Sequence, residues 1–303
     1  MPIDWRGVYA AATTEFHPDE RLDADATRRH FERLIEGGIH GLVVMGTVGE
    51  GTSLDTDEKR TVLRLGIEAS RGRVPVVTGV AEYTTRNACR WAAEAERLGA
   101  DGLMVLPGMV YKPRPAENLA HFRAVARASG LPVMLYNNPV SYGVDLRPEQ
   151  IADLGDEPTI VAVKESSDDP RRITDIVNLA GDRYVILCGV DDLVLESIVL
   201  GARGWVSGLV NAFPAENRLL WDLALAGRFE EARSVYRWYT PLLHLDTRPT
   251  LVQCIKLAAS ATGLGSETVR APRRPLDGAE REEVMAIVRE AIRTRPPTRT
   301  ALP

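Results

Sequence analysis

Eight short apolar runs, bounded by Gly, Pro, Asp or other turn-forming residues and separated by charged stretches, constrain this chain more than any other feature. They are 8–13 (VYAAAT), 41–46 (GLVVMG), 74–79 (VPVVTG), 101–107 (DGLMVLP), 131–137 (LPVMLYN), 159–165 (TIVAVKE), 183–189 (RYVILCG) and 204–208 (GWVSG). Each is nearly continuous in apolar residues, which is how a parallel strand covered on both faces reads.

The intervening stretches have helical period. In 27–38, Phe31, Leu34 and Ile35 share a face and two glycines end the helix. In 87–100 the stripe is Ala88, Trp91, Ala92, Ala95 and Leu98. In 116–130 it is Leu119, Phe122, Val125 and Ala126, with Gly130 as terminator. Strand and helix thus alternate eight times, and a right-handed chain of βα units closing on itself satisfies that order. The rival is an open doubly wound sheet, whose first strand would run into a glycine-rich phosphate turn. Here it runs into Thr13-Thr14-Glu15-Phe16, so the expected fold class is an α/β (β/α)8 TIM barrel with a C-terminal helical appendage. Strand signals stop after Asn211, which divides the chain into a barrel, 1–226, and a helical region, 227–303. The polar, Pro-rich tail 293–303 reads as loosely laid down.

Composition narrows the function. A net charge of −5 gives no basic surface for nucleic acid or membrane. The five histidines and three cysteines fall at no metal-ligand spacing, so no metal or other cofactor is expected and the cysteines read as free. No basic start followed by an apolar run opens the chain, and no apolar run can span a bilayer. The expected location is the cytoplasm.

In a barrel, chemistry sits where strands end at the C-terminal face. Lys164 ends the sixth run, and a lysine in that poorly solvated mouth becomes a neutral, nucleophilic amine. The plain alternative is a surface lysine snorkelling at a strand end. Tyr136 ends the fifth run, where a phenol can pass protons to and from a carbinolamine, or simply plug the barrel. The second run leads into Gly46-Thr47-Val48-Gly49-Glu50-Gly51, whose amides suit a carboxylate and whose Thr47 hydroxyl can bond Tyr136. Its spacing does not fit a nucleotide-binding phosphate loop.

These motifs, Gly46-Thr47-x-Gly49-Glu50, Leu135-Tyr136-Asn137-x-Pro139 and Val163-Lys164-Glu165 in that order, make the chain resemble the dihydrodipicolinate synthase and N-acetylneuraminate lyase superfamily. The likeness runs from Gly7 to about Pro275. It implies Lys164 as the Schiff-base residue, Tyr136 as the proton-shuttling phenol and Thr47 as its relay partner. It also implies the amides of Thr47 and Val48 as the seat of a 2-oxo acid carboxylate. Gly49, Ser141, Ser166, Val206 and Ser207 join Val48 as candidate substrate contacts, and Tyr111 as a residue reaching a neighbouring subunit's site. A homotetramer follows from the same resemblance.

Two positions depart from the synthase pattern. Val48 stands where synthases carry a second threonine, and Ser141 where they carry an arginine that grips the aldehyde substrate's carboxylate. Arg171 and Arg172 are the possible substitutes. The surrounding text, including GLVVMGTVGEGTSL, VKESSDDPRR and RWYTPLLHLDTRPTLVQCIKLA, is similar to the 1-pyrroline-4-hydroxy-2-carboxylate deaminases. The implied reaction gives 2-oxoglutarate semialdehyde and ammonia from a small-molecule pyrroline carboxylate. Alternatives are 4-hydroxy-tetrahydrodipicolinate synthase and a 2-keto-3-deoxy sugar-acid aldolase or dehydratase. A phosphate-binding barrel isomerase and a non-catalytic binding barrel also stay open.

Overall fold

A computed structural model describes residues 3–108 and 111–298. Eight parallel strands close into a barrel in chain order: β1 (Gly7–Ala11), β2 (Gly41–Val44), β3 (Val76–Val80), β4 (Gly102–Val105), β5 (Val133–Asn137), β6 (Ile160–Glu165), β7 (Val185–Cys188) and β8 (Gly204–Ser207). Every expected run coincides with one strand, with ends that differ by a residue or two: β1 begins one residue early at Gly7 and β3 ends one residue late at Val80. β1 pairs with both β2 and β8, which closes the ring and removes any free edge.

The helices are α1 (Ala24–Glu36), α2 (Thr56–Ser70), α3 (Thr85–Leu98), α4 (Pro115–Ala126), α5 (Pro139–Tyr142), α6 (Pro148–Asp153), α7 (Arg171–Ala180), α8 (Val194–Val199), α9 (Pro214–Leu225), α10 (Phe229–Leu243), α11 (Leu251–Ala261) and α12 (Gly278–Arg293). In α1, Asp23 caps the first turn through the Ala26 amide, and the predicted stripe of Phe31, Leu34 and Ile35 is buried. Each such side chain contributes about 1.5–3 kcal/mol on leaving water. α4 ends at Ala126, short of Gly130, whose amide instead binds Glu96 on α3 at 3.0 Å.

The C-terminal helices are packed into the barrel. Lys256 on α11 is fully buried and pairs with Glu50 at 2.9 Å, while also donating to the carbonyls of Thr14 and Thr268. The backbone amide of Arg270 donates to the other Glu50 oxygen at 3.0 Å. The tail is less loose than its composition suggests, because Arg295 is paired with the buried Glu216. Among the described residues, no helix is long and apolar enough to cross a membrane.

One backbone kink sets the rim of the barrel. Met45, just past β2, has φ +59°, an unusual conformation for a side chain of that size. Its carbonyl oxygen lies 2.2 Å from where a Cβ on either Gly51 or Gly79 would stand, so only glycine at both positions admits the turn. The kink sends the following loop, Gly46 to Glu50, across the barrel mouth.

Candidate active site

The strand ends surround a cavity of about 460 Å3 at the C-terminal face. Of the residues expected from sequence, Thr47, Val48, Tyr136, Ser141, Lys164, Ser166 and Val206 all line it.

The β5–β6 register places Tyr136 beside Lys164. The Lys164 nitrogen stands 4.0 Å from the centre of the Tyr136 ring. No carboxylate lies within ion-pair distance of it among the described residues, so burial dominates and lowers its pKa from the ordinary 10.5. Asp246, Tyr142, Asp191 and Cys188 oppose that shift. Room for the lysine comes from Gly189 after β7, where a Cβ would stand 2.7 Å from Lys164 Cε and 1.9 Å from Ser166 Oγ.

The Tyr136 hydroxyl accepts a bond from Asn138 Nδ2 at 3.1 Å, and burial raises its pKa. Thr47 Oγ1 pairs with the hydroxyl of Tyr142, and both hydroxyls also act on the Tyr136 phenol, favouring its ionised form against burial. Tyr142 meets Tyr136 edge to face, with centroids 5.8 Å apart. Tyr142 thus joins Thr47 and Tyr136 in one cluster of hydroxyls, where sequence pointed to Thr47 and Tyr136 alone. The turn that supplies Tyr142 is α5, capped by the Asn138 side chain on the Ser141 amide at 2.8 Å.

The Thr47 and Val48 amides have no acceptor among the described residues, which leaves two donors at the cavity wall. Ser166 Oγ is buried there with no hydrogen-bond partner.

Three expected contacts lie elsewhere. Gly49 is turned away, its carbonyl accepting from Thr14 Oγ1 at 2.8 Å. Ser207 faces the outside of β8 and binds Asp191 Oδ2 at 3.1 Å, because the pleat sends Val206 and Ser207 to opposite sides. Tyr111 is exposed and borders a separate depression with Glu82, Tyr83 and His121. The substitute arginines are also engaged: Arg172 makes a two-pronged bond to Asp145 at 2.6 and 2.7 Å, and Arg171 does the same with Asp169.

Sequence reasoning missed the acidic wall. Asp168 and Asp246 line the cavity, and Asp191 lies buried beside it. Asp191 accepts from Trp205 Nε1, Ser207 Oγ and the amides of Gly208 and Leu209, yet burial still pushes its pKa up to about 6. Asp168 gave a sequence signal in the SSDD stretch after Lys164. Asp246 gave none, since it lies outside the strand–helix rhythm. Arg248 and Arg273 sit at the mouth, paired with Glu283 at 2.6 Å and Glu50 at 3.7 Å.

Residues 4–291 match the Dihydrodipicolinate synthetase family. The 4-hydroxy-tetrahydrodipicolinate synthase of Xanthomonas campestris is 37% identical over 300 residues, covering 95% of this chain and 97% of its own length. The synthase of the same name from Methylacidiphilum fumariolicum superposes with a TM-score of 0.91 at 30% identity, covering 95% of this chain and 96% of the other. The chloride-inhibited dihydrodipicolinate synthase of Acinetobacter baumannii, solved with pyruvate, gives 0.89 at 27% identity over 95% of this chain and 99% of its own. The chain belongs to the dihydrodipicolinate synthetase family and is a class I Schiff-base lyase.

Proposed function

We propose that this lyase acts on a substrate carrying a single carboxylate, and that it converts 1-pyrroline-4-hydroxy-2-carboxylate to 2-oxoglutarate semialdehyde and ammonia. The observation that carries the reading is the state of the arginines. Ser141 offers a neutral hydroxyl, Arg171, Arg172 and Arg248 are each hydrogen-bonded to a carboxylate, and Arg273 faces Glu50 at 3.7 Å. A second substrate carboxylate would need a fixed, unengaged donor, for which a bidentate arginine is best suited. One carboxylate needs only the Thr47 and Val48 amides.

The steps follow from the groups present. The neutral Lys164 amine attacks carbon 2 of the cyclic imine, and the ring carbon–nitrogen bond breaks to leave a protonated Schiff base. That electron sink acidifies carbon 3, and the hydroxyl on carbon 4 leaves as water. Water then enters twice, releasing ammonia from carbon 5 and the product from Lys164, so one water is consumed overall. Tyr136, with Tyr142 and Thr47, passes the protons. The enzyme works in the cytoplasm as a homotetramer, and a single monomeric mass in light scattering would refute the assembly.

The names of the curated relatives favour a second reading, condensation of pyruvate with aspartate semialdehyde. A side-by-side assay separates the two. Ammonia and semialdehyde released from the pyrroline, with little condensation, is the expected result. Efficient condensation with an inert pyrroline replaces this reading with the synthase.

A further inference from the structure

Asp246 follows α10 in the helical region and reaches over the end of β8. Its Oδ1 lies 2.5 Å from where a Cβ on Gly208 would stand, so the absent side chain at Gly208 makes its place. It lines the same cavity as Lys164, and no lysine or arginine lies within ion-pair distance of it among the described residues. Asp191 takes its own donors from the β8 end, apart from an amide that it gives to Asp246. Across the cavity, Ser166 Oγ is buried without a partner. The cavity wall therefore holds a carboxyl whose opposing charge is Lys164, beyond ion-pair distance, and a buried hydroxyl without a bond.

We propose that Asp246 is a catalytic acid, the group that protonates the departing ring nitrogen and then holds the amine so formed. The assignment rests on the pyrroline reading. When the Lys164 nitrogen bonds to carbon 2, one of its protons passes to the ring nitrogen. As the carbon–nitrogen bond breaks, its electron pair stays on that nitrogen, which takes a second proton from the Asp246 carboxyl. The products are the iminium on Lys164, a primary amine on carbon 5 and the Asp246 carboxylate, which accepts a hydrogen bond from that amine. Burial and the neighbouring Asp191 raise the Asp246 pKa well above 3.8 and burial lowers that of Lys164, while the attraction between the two opposes both shifts. The other titratable groups on the cavity, Asp168, Tyr136, Tyr142, Arg248 and Arg273, are a raised acid, two raised phenols and two paired arginines.

The test compares two reactions on the full-length Asp246→Asn enzyme. Opening the pyrroline ring needs the acid, whereas trapping pyruvate on Lys164 with borohydride expels no amine. The expected result is a fall of about 100-fold in kcat/KM for the pyrroline, the usual worth of a positioned acid, with pyruvate trapping within a few fold of wild type. Asp246→Ser carries the same comparison should the asparagine variant not fold. Undiminished pyrroline turnover overturns the proposal, as does an equal loss of trapping, which would mean that Asp246 only prepares the lysine. A wild-type enzyme inert towards the pyrroline overturns the parent reading as well.

Discussion

Burying Lys164, with no carboxylate at ion-pair distance among the described residues, favours the neutral amine that the proposed chemistry uses and costs stability. Its folded pKa lies below 10.5, so between the two values the unfolded chain binds a proton that the folded chain does not. Stability then rises with pH through that window, and the cost is complete below the folded pKa. Lys164→Met should therefore abolish turnover yet raise the melting temperature at pH 7, with a gain that fades towards pH 10.5. A melting temperature that falls at pH 7 would contradict this account of the lysine. Tyr136 is bonded by Asn138, and the Thr47 and Tyr142 hydroxyls favour its ionised form, an arrangement that a packing role alone does not require. Tyr136→Phe should keep the fold and slow turnover by about two orders of magnitude. Wild-type rates in steady-state kinetics would reduce the phenol to a plug.

At the scale of elements, β5 and β6 bring Tyr136 and Lys164 side by side, and the turns after β2 and β7 shape the space around them. β7 contributes a gap: at Gly189 even a methyl group meets Lys164 Cγ and Cε at 2.7 Å. Gly189→Ala should slow borohydride trapping on the order of 100-fold, the scale of an ångström of misplacement, while circular dichroism stays native. An unchanged trapping rate would show that the lysine has slack. The same logic explains what was legible beforehand. Lys164, Tyr136 and Thr47 could be read because each ends or directly follows an apolar run, and strand ends map onto one face of a barrel. Ser207 was misplaced because ending a run does not decide which way the pleat turns a side chain. Gly130 resembled a helix stop, but α4 had already ended at Ala126. Asp246 was invisible, because only packing of the helical region onto β8 brings it to the cavity.

Across the whole molecule, the helical region and the barrel mouth are joined by a buried charge. Glu50, the last residue of the Gly46–Glu50 loop, has Lys256 as its fully buried partner. Lys256→Met would leave that carboxylate with Arg273 at 3.7 Å as its remaining countercharge, and breaking a buried pair costs up to about 3–5 kcal/mol. The urea midpoint should drop accordingly, and an unchanged midpoint would mean that solvent reaches Glu50. The loop carrying Thr47 and Val48 is thus fixed from outside the barrel, and Asp246 reaches the cavity from the same region, so both parts contribute to one cavity wall. The proposed chemistry is covalent and centred on one nitrogen, and the intact mass of the protein reads it directly. Borohydride added with pyruvate or the pyrroline should raise the mass by one reduced adduct per chain. Peptide mapping should place that adduct on Lys164, and Lys164→Ala should take up none. An adduct on any other residue, or full turnover by Lys164→Ala, would contradict the account.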